Sequence, residues 1–329
     1  MNFDTDLLIS RLRAAGEHNR LRILSLLMRG ELAVGELAQI MDQSQPRLSH
    51  HLKALTAAGL VERMPEGAWV FYSIPAIGPV RAFLEPIIAQ IDTNEADFSR
   101  DMRRLSLVQS ARREAATNYF SEIADTWDTV RELHSKNELI EAQLIELAGA
   151  DGYQRVIDIG TGTGRMLSLF AGRAERLDGI DLSHRMLTLA RANLDEAGVA
   201  HSHLRQGDAT NLPYADASAD LVIIHQVLHF IDEPERVLAE AGRVLNGAGR
   251  LLVVDFAPHN LEFLRAKHGH RRLGIRHETL SEWCQSAGLC VRPPKLFEQP
   301  DKVGDGLTVQ VWAADKQAVT KSENERLLA

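Results

Sequence analysis

Two cysteines occur in 329 residues, Cys284 and Cys290, both near the end of the chain. That is too few for a disulfide framework or a sulfur-rich metal centre, so the pair reads as ordinary thiols and no metal is expected. No run of about 18 apolar residues is present, and Asp4 and Asp6 precede any apolar stretch, so neither a membrane span nor a signal peptide is supported. A cytoplasmic protein with no membrane partner is expected. Surplus positive charge is also missing: the net charge of -8 excludes indiscriminate coating of nucleic acid and confines any DNA contact to a local face. What is plentiful is apolar content, 45 %, over a length that suits two cores.

The stretch Val156 to Gly164, VIDIGTGTG, is an apolar strand ending in Asp158 that runs into Gly160, Gly162 and Gly164. Residues without a Cβ let the backbone turn sharply and approach a ligand, and the helix that follows offers free N–H groups. A dinucleotide fingerprint needs glycine at its sixth position, where Arg165 stands here. The D-x-G-x-G-x-G spacing instead resembles motif I of the class I S-adenosylmethionine (SAM) methyltransferases. Downstream, strand and helix patterns alternate: Leu177 to Ile180 then Arg185 to Ala197, Ser202 to Arg205 then a loop, Leu221 to His225 then Pro234 to Leu245, and Arg250 to Asp255. Such alternation predicts a doubly wound, Rossmann-like α/β domain with its ligand at the strands' C-terminal ends. Each end carries a polar residue: Asp181, 23 positions after Asp158, then Asp208, then His225 with Gln226, then Asp255.

The resemblance extends from about Tyr119 to Ala314, through GIDLSHRMLTLARANL, QGDATNLPYADASADLVIIHQVLHFIDEP and RVLNGAGRLLVVDF. It implies that the glycine loop with Asp158 and Thr161 holds the methionyl part of SAM. It further implies that Asp181, with Leu182 beside it, holds the ribose, Met186 lies against adenine, and Asp208, with Ala209, binds the adenine amino group. Tyr119 to Trp127 resembles the family's cap over the cofactor. His225 and His229, and later His259, His268 and His270, are the neutral-pH bases on offer, with His225 and His229 the catalytic candidates; Asp255 can pair with a histidine, and His225 also borders the cofactor. His268 and His270, flanked by Lys267, Arg271 and Arg272, read as a basic surface loop or anion patch.

Earlier in the chain, apolar positions from Leu8 to Leu27 recur at three and four residues with a break near Gly16, followed by a short helix over Val34 to Met41, an interruption at Asp42 to Ser44, and a helix from about Pro46 to Ala58. From Gln43 to Leu60 there is no acidic residue, although residues 1 to 95 as a whole hold nine Lys/Arg and eleven Asp/Glu. Gln43, Ser44, Gln45 and Arg47 suit base edges, Ser49 and Lys53 suit phosphates, and His50 and His51 add outward donors. Leu60 to Arg63 and Trp69 to Ile74 read as a hairpin with Arg63 at its base, so the segment is an α+β winged helix-turn-helix. The run LSHHLKALTAAGLVERMPEGAWVFYSI resembles the ArsR-type winged-helix repressors, which implies a double-stranded DNA operator and a homodimer, with Ile77 to Ile91 as a candidate dimer helix. Glu31 to Leu37 lacks the cysteines of metal-sensing members, so metal sensing there is not expected.

These readings divide the chain into a DNA-binding domain (1–95), a helical connector (96–118), a methyltransferase domain (119–315) and a flexible tail (316–329). Five arginines of the connector, among them Arg104 and Arg112, read as solvated or as phosphate contacts. Two functions stay open: a regulator that senses SAM or S-adenosylhomocysteine (SAH), and an active methyltransferase of a small-molecule acceptor whose DNA-binding domain controls expression. A nucleic-acid methyltransferase is disfavoured by the acidic charge.

Overall fold

The computed structural model describes residues 4–66, 69–75, 79–122, 137–149, 152–298 and 307–316. Helices α1 (Thr5–Ala15) and α2 (His18–Leu27) are separated at Gly16, and Glu17 caps α2 by accepting from the N–H groups of Asn19 and Arg20. Helix α3 (Val34–Met41) ends where Asp42 turns left-handed at φ 56°, and α4 (Gln45–Ala57) begins with Pro46 in its first turn. Leu48, Leu52 and Leu55 of α4 are fully buried against Ile23, Leu24, Leu37 and Ile40, the stripe expected from their spacing. Strands β2 (Glu62–Glu66) and β3 (Trp69–Ser73) form the antiparallel hairpin, and a two-residue strand β1 (Leu32–Ala33), not foreseen in the sequence, pairs with the other edge of β3.

Helix α5 (Pro79–Ile88) packs Val80 and Leu84 into this same core, so part of the face read as a dimer surface is used within the chain. Helix α6 (Ala96–Glu122) covers the connector. Its Arg112 is neither solvated nor free for phosphate. It is buried and donates to Glu36 and to Asp195 at 2.7 and 2.8 Å, because α6 is wedged between α3 and the second domain. Arg104 is likewise drawn to Asp42 and the Ile40 carbonyl.

The second domain opens with α7 (Asn137–Ala148) and contains β4 (Tyr153–Ile159), α8 (Arg165–Phe170), β5 (Ala174–Asp181), α9 (His184–Glu196), β6 (Ser202–Gln206), β7 (Ala219–His225), α10 (Pro234–Val244) and β8 (Leu245–Phe256). Helices α11 (Phe263–His268) and α12 (His277–Ser286) and strands β9 (Leu289–Val291), β10 (Lys295–Phe297) and β11 (Val309–Lys316) complete it. The sheet order is β10-β11-β8-β7-β4-β5-β6. Strands β4 to β8 run parallel, and β11 pairs antiparallel with β8. One sheet face buries Val156, Leu177 and Leu221 against α7, α8 and α9. The other buries Ile157, Val222 and Ile224 against α10 and α12. Lys316, expected to begin the tail, is the last residue of β11 and pairs with Leu289, and Asp315 before it accepts from Arg250, because β11 completes the sheet beside β8. Residues 317–329 lie outside the described residues.

The two domains are joined by buried charge. Glu31 accepts from the Arg191 guanidinium at 2.7 Å and from the Leu204 N–H at 3.2 Å, and Arg191 in turn lies 3.7 Å from the Phe71 ring. Ser73 of the wing meets His203 of β6 at 2.9 Å. Removing these ionic groups from water is costly, so such contacts persist where each partner is satisfied and act to specify one orientation.

Candidate active site and DNA interface

The strand order reverses at β4, whose neighbours are β7 and β5, and a doubly wound sheet binds its ligands at such a reversal. The three glycines there do different work. Gly160, at φ 71°, has Val227 2.4 Å from where its Cβ would stand, and Gly164, at φ 77°, lies against Ala190 of α9. Both are packed by protein. Gly162 alone faces open space, with nothing nearer than the Gly160 carbonyl at 4.0 Å, so the loop's ligand-facing side is at its centre.

Asp181 fixes that loop. Its Oδ2 accepts from the Gly162 N–H at 2.9 Å and its Oδ1 from the Ser183 N–H at 2.8 Å, while each oxygen keeps a lone pair for a further donor. Next to it Leu182 is 73 % exposed, an apolar side chain standing at the site with nothing over it. Ser183 caps α9 through the Met186 N–H, which places Met186 half-buried on the first turn of that helix. Asp208 is exposed and accepts from Thr210, which leaves Oδ2 available, and Ala209 packs behind it.

Several buried polar atoms at these strand ends lack protein partners. Asp158 Oδ2, Thr161 Oγ1 and Gln226 Nε2 are among them, and Gln226 holds a left-handed φ of 57°. Burial drives the Asp158 carboxyl up to about 7, the neighbouring Asp181 charge adds to this, and the Thr161 hydroxyl opposes it. Buried polar groups without partners are rare and cost free energy, so their convergence around an open glycine marks a ligand site. A ligand bearing an ammonium group, a ribose and a flat apolar base fits this set: an acid for the first, Asp181 for the second, and Leu182 and Met186 for the third.

A second cluster lies at the ends of β7 and β8. His229 is buried, and its Nδ1 meets Asp255 Oδ1 at 2.8 Å while its N–H donates to Asp255 Oδ2 at 3.3 Å. A carboxylate can only accept, so Nδ1 carries a proton and the tautomer with a lone pair on Nε2 is the one this pair selects for the neutral ring, the arrangement of an oriented general base. His225 is half-buried at the end of β7 and is not part of that pair. His270 was read as surface, yet it is 8 % exposed and its ring lies 4.3 Å from His229, because the backbone N–H groups of Arg271 and Arg272 bond the His229 carbonyl and fold the loop inward. Burial lowers His270 to about 4, with His229 next in effect, and its Nδ1 has no partner. The flanking Phe230 and Phe256 give this corner an aromatic wall. The sequence offers His270 as a base but not as a neighbour of His229, which is 41 residues away and meets it only through the loop's fold. The capping segment Tyr119 to Trp127 lies beyond residue 122 for most of its length and so outside the described residues.

On the first domain, Ser44, Gln45, Arg47, Ser49, His50 and Lys53 are exposed along α4 and its entry, and Arg63 is exposed on β2. Gln43 sits in the preceding turn, where its amide donates to Asn19 at 2.7 Å. His51 departs from the expectation of an outward donor: it faces α2, its Nδ1 3.3 Å from Glu17 Oε2, and burial lowers its pKa. It stands on the side of α4 that packs inward.

A family model described as bacterial regulatory protein, arsR family, matches residues 17–63, and one described as methyltransferase domain matches residues 157–253. This chain carries an arsR-family regulatory domain joined to a methyltransferase domain. The methyltransferase YcgJ of Bacillus subtilis is 31 % identical over 145 residues, 43 % of this chain and 57 % of that protein. The ubiquinone/menaquinone biosynthesis C-methyltransferase UbiE of Vibrio vulnificus is 31 % identical over 144 residues, 42 % of this chain and 55 % of that protein. The chain thus spans a little over half the length of these relatives. The crystal structure of YcgJ superposes with a TM-score of 0.48 at 20 % identity, covering 54 % of this chain and 97 % of that one.

Proposed function

We propose that the chain is a DNA-binding transcriptional regulator whose methyltransferase domain binds SAM or SAH, and that occupancy of that domain changes its grip on an operator. The observation that carries this reading is the contact between wing and cofactor edge. Trp69, the first residue of β3, stacks on His184 with ring centres 5.8 Å apart and planes 8° from parallel, and His184 lies three residues beyond Asp181 at the start of α9. A ligand that draws on Asp181 and Leu182 therefore acts on the segment against which the wing rests. The sites read from the sequence keep their roles in this proposal: Asp158, Thr161, Gly162 and Asp181 for the methionyl and ribose parts, Met186 and Asp208 for adenine, and α4 with Arg63 for DNA. A homodimer in the cytoplasm belongs to it as well; Leu7, Ile9 and Leu12 of α1 are exposed apolar residues available to a second copy.

A specific observation favours turnover alongside sensing. The Asp255–His229 pair supplies an oriented base beside the cofactor edge, of use only if an acceptor must lose a proton as methyl is transferred. The name of the Vibrio vulnificus relative, a ubiquinone/menaquinone biosynthesis C-methyltransferase, points to a small-molecule acceptor, and the aromatic corner suits a flat one. The test is fluorescence anisotropy of the full chain on its own upstream DNA at fixed salt, without ligand and with SAM or SAH. A shift with either ligand supports coupling. Equal operator affinity in all three overturns the sensor and leaves the enzyme reading, to be followed by methyl-transfer assays.

A further inference from the structure

Strands β4, β5 and β6 turn a charged row to one face of the sheet: Arg155 is in register with Arg176, Asp178 with His203, and Ile180 with Arg205. Strands inside a parallel sheet are ordinarily apolar on both faces because helices cover them. Here the base of the wing and the loop around Tyr214 flank that face and leave an open-mouthed cavity of about 440 Å³, lined by Glu62, Arg63, Arg155, Arg176, Arg205 and Tyr214. The cavity lies between the DNA-reading domain and the methyltransferase domain; Arg155 and Arg176 line it near the beginnings of β4 and β5, and Arg205, level with Ile180, lines it from the end of β6.

Its charges do not balance. Asp178, wholly buried, accepts from both Arg155 and Arg176 at 2.7 Å, and Glu62 approaches Arg176 at 3.4 Å. Burial pushes the Asp178 carboxyl up, but the charge and hydrogen bonds of Arg176, with Arg155 beside it, outweigh that and hold it at about 2. Two carboxylates thus face four guanidinium groups. Among the described residues no carboxylate pairs with Arg205, and its buried Nε has no acceptor. The Tyr214 hydroxyl is buried without a partner too, and burial keeps it protonated, a donor. The Tyr214 ring lies under both cations, 4.6 Å from Arg155 and 5.6 Å from Arg205, which holds them over one space. Donors without acceptors and a surplus of positive charge around one cavity ask for an anion.

We propose that this junction cavity binds a small phosphate-type oxyanion, free or as part of a small molecule, between the Arg155 and Arg205 guanidinium groups and the Tyr214 hydroxyl. Planar guanidinium forks match phosphate oxygens in pairs, and the neutral Tyr214 adds a third direction of donation. Glu62 and Arg63 of the wing border the site from the other domain, so it lies across the junction. It is independent of the cofactor reading and stands if SAM does not bind.

The test titrates inorganic phosphate into the full chain by isothermal calorimetry at constant ionic strength, with chloride as the control. One phosphate per chain is expected, with affinity weakened at least about tenfold by Arg205→Gln and about tenfold by Tyr214→Phe, which retains the ring beneath the cations. An unchanged melting temperature shows that each variant is folded, and should Arg205→Gln fail that check, Tyr214→Phe decides. Heat from chloride equal to that from phosphate overturns the proposal, as does wild-type affinity in a folded variant. Stoichiometric expulsion of phosphate by operator duplex overturns it too, since the guanidinium groups then serve the DNA backbone.

Discussion

At the seam between the domains, Arg112 donates through Nε, Nη1 and Nη2 to Glu36, Asp195 and the Glu31 carbonyl, whereas at the ends of β4, β7 and the loop after β8, Asp158 Oδ2, Gln226 Nε2 and His270 Nδ1 have no protein partner. Both places are buried and polar. The difference is one of satisfaction: at the seam each polar group finds its partner within the chain and specifies an orientation, whereas at the strand ends several converge without one, the pattern a ligand site requires. The cavity lined by Arg205 and Tyr214 follows the second pattern although it lies beside the seam, which is why it is assigned to a ligand.

The comparison can be broken most forcefully at the seam. Arg112→Ala leaves Glu36 and Asp195 facing each other without their cation, and a loss of about 3–5 kcal/mol in unfolding free energy is expected from denaturant titration. A change below about 0.5 kcal/mol, the size of a surface substitution, would remove the seam from the structural side of the comparison. At the strand ends, His229→Ala is expected to lower the rate of methyl transfer by about 10²–10³ while SAM affinity and melting temperature hold, measured once an acceptor is found. Retained turnover would reduce the Asp255–His229 pair to a structural contact. Asp181→Ala removes a carboxylate that serves both loop and ligand, so SAM binding should weaken about a hundredfold in calorimetry, with α6 and its seam intact by circular dichroism.

Two finer tests sharpen it. Trp69→Ala removes the stack on His184, and the ligand-dependent change in operator affinity, about 5–150-fold for a typical coupling, should fall toward one while DNA binding itself persists. Undiminished coupling would route the signal elsewhere. Asp158 gives the smallest signal. Its carboxyl moves from an ordinary 3.8 up to about 7 on folding, so the folded chain binds the extra proton between those values. Its stabilising contribution is complete below the lower value and is lost as pH rises through the upper one, and Asp158→Asn should flatten that slope. A cationic ligand beside the carboxyl reverses the preference, so SAM binding at pH 6 should release a fraction of a proton, seen as buffer-dependent heat, and none above about pH 8.

Much of the site was legible because its signals are local. VIDIGTGTG sets its own strand, turn and helix, Asp181 and Asp208 follow at strand ends, and the stripe Leu48, Leu52, Leu55 needs only helical periodicity to be read. His51 failed because helical spacing places a side chain on a face without saying what that face meets, and Glu17 lies opposite. Arg112 failed for the same reason at a larger scale: a polar, arginine-rich helix looks solvated until α3 and α9 enclose it. His270 looked like surface among Lys267, Arg271 and Arg272, and only the backbone bonds to the His229 carbonyl turn it inward.

The amino-acid sequence alone determined that this chain holds a winged helix followed by a doubly wound α/β domain with an adenosine-type glycine loop, since periodicity, turn chemistry and glycine spacing are short-range properties of the chain. Only the tertiary structure decided which glycine faces open space, which histidine Asp255 orients, and that the wing rests on the start of α9 beside Asp181. Those outcomes depend on contacts between residues tens to well over a hundred positions apart, such as Trp69 with His184 and Glu31 with Arg191, where burial and pairing are set by the packing of whole elements.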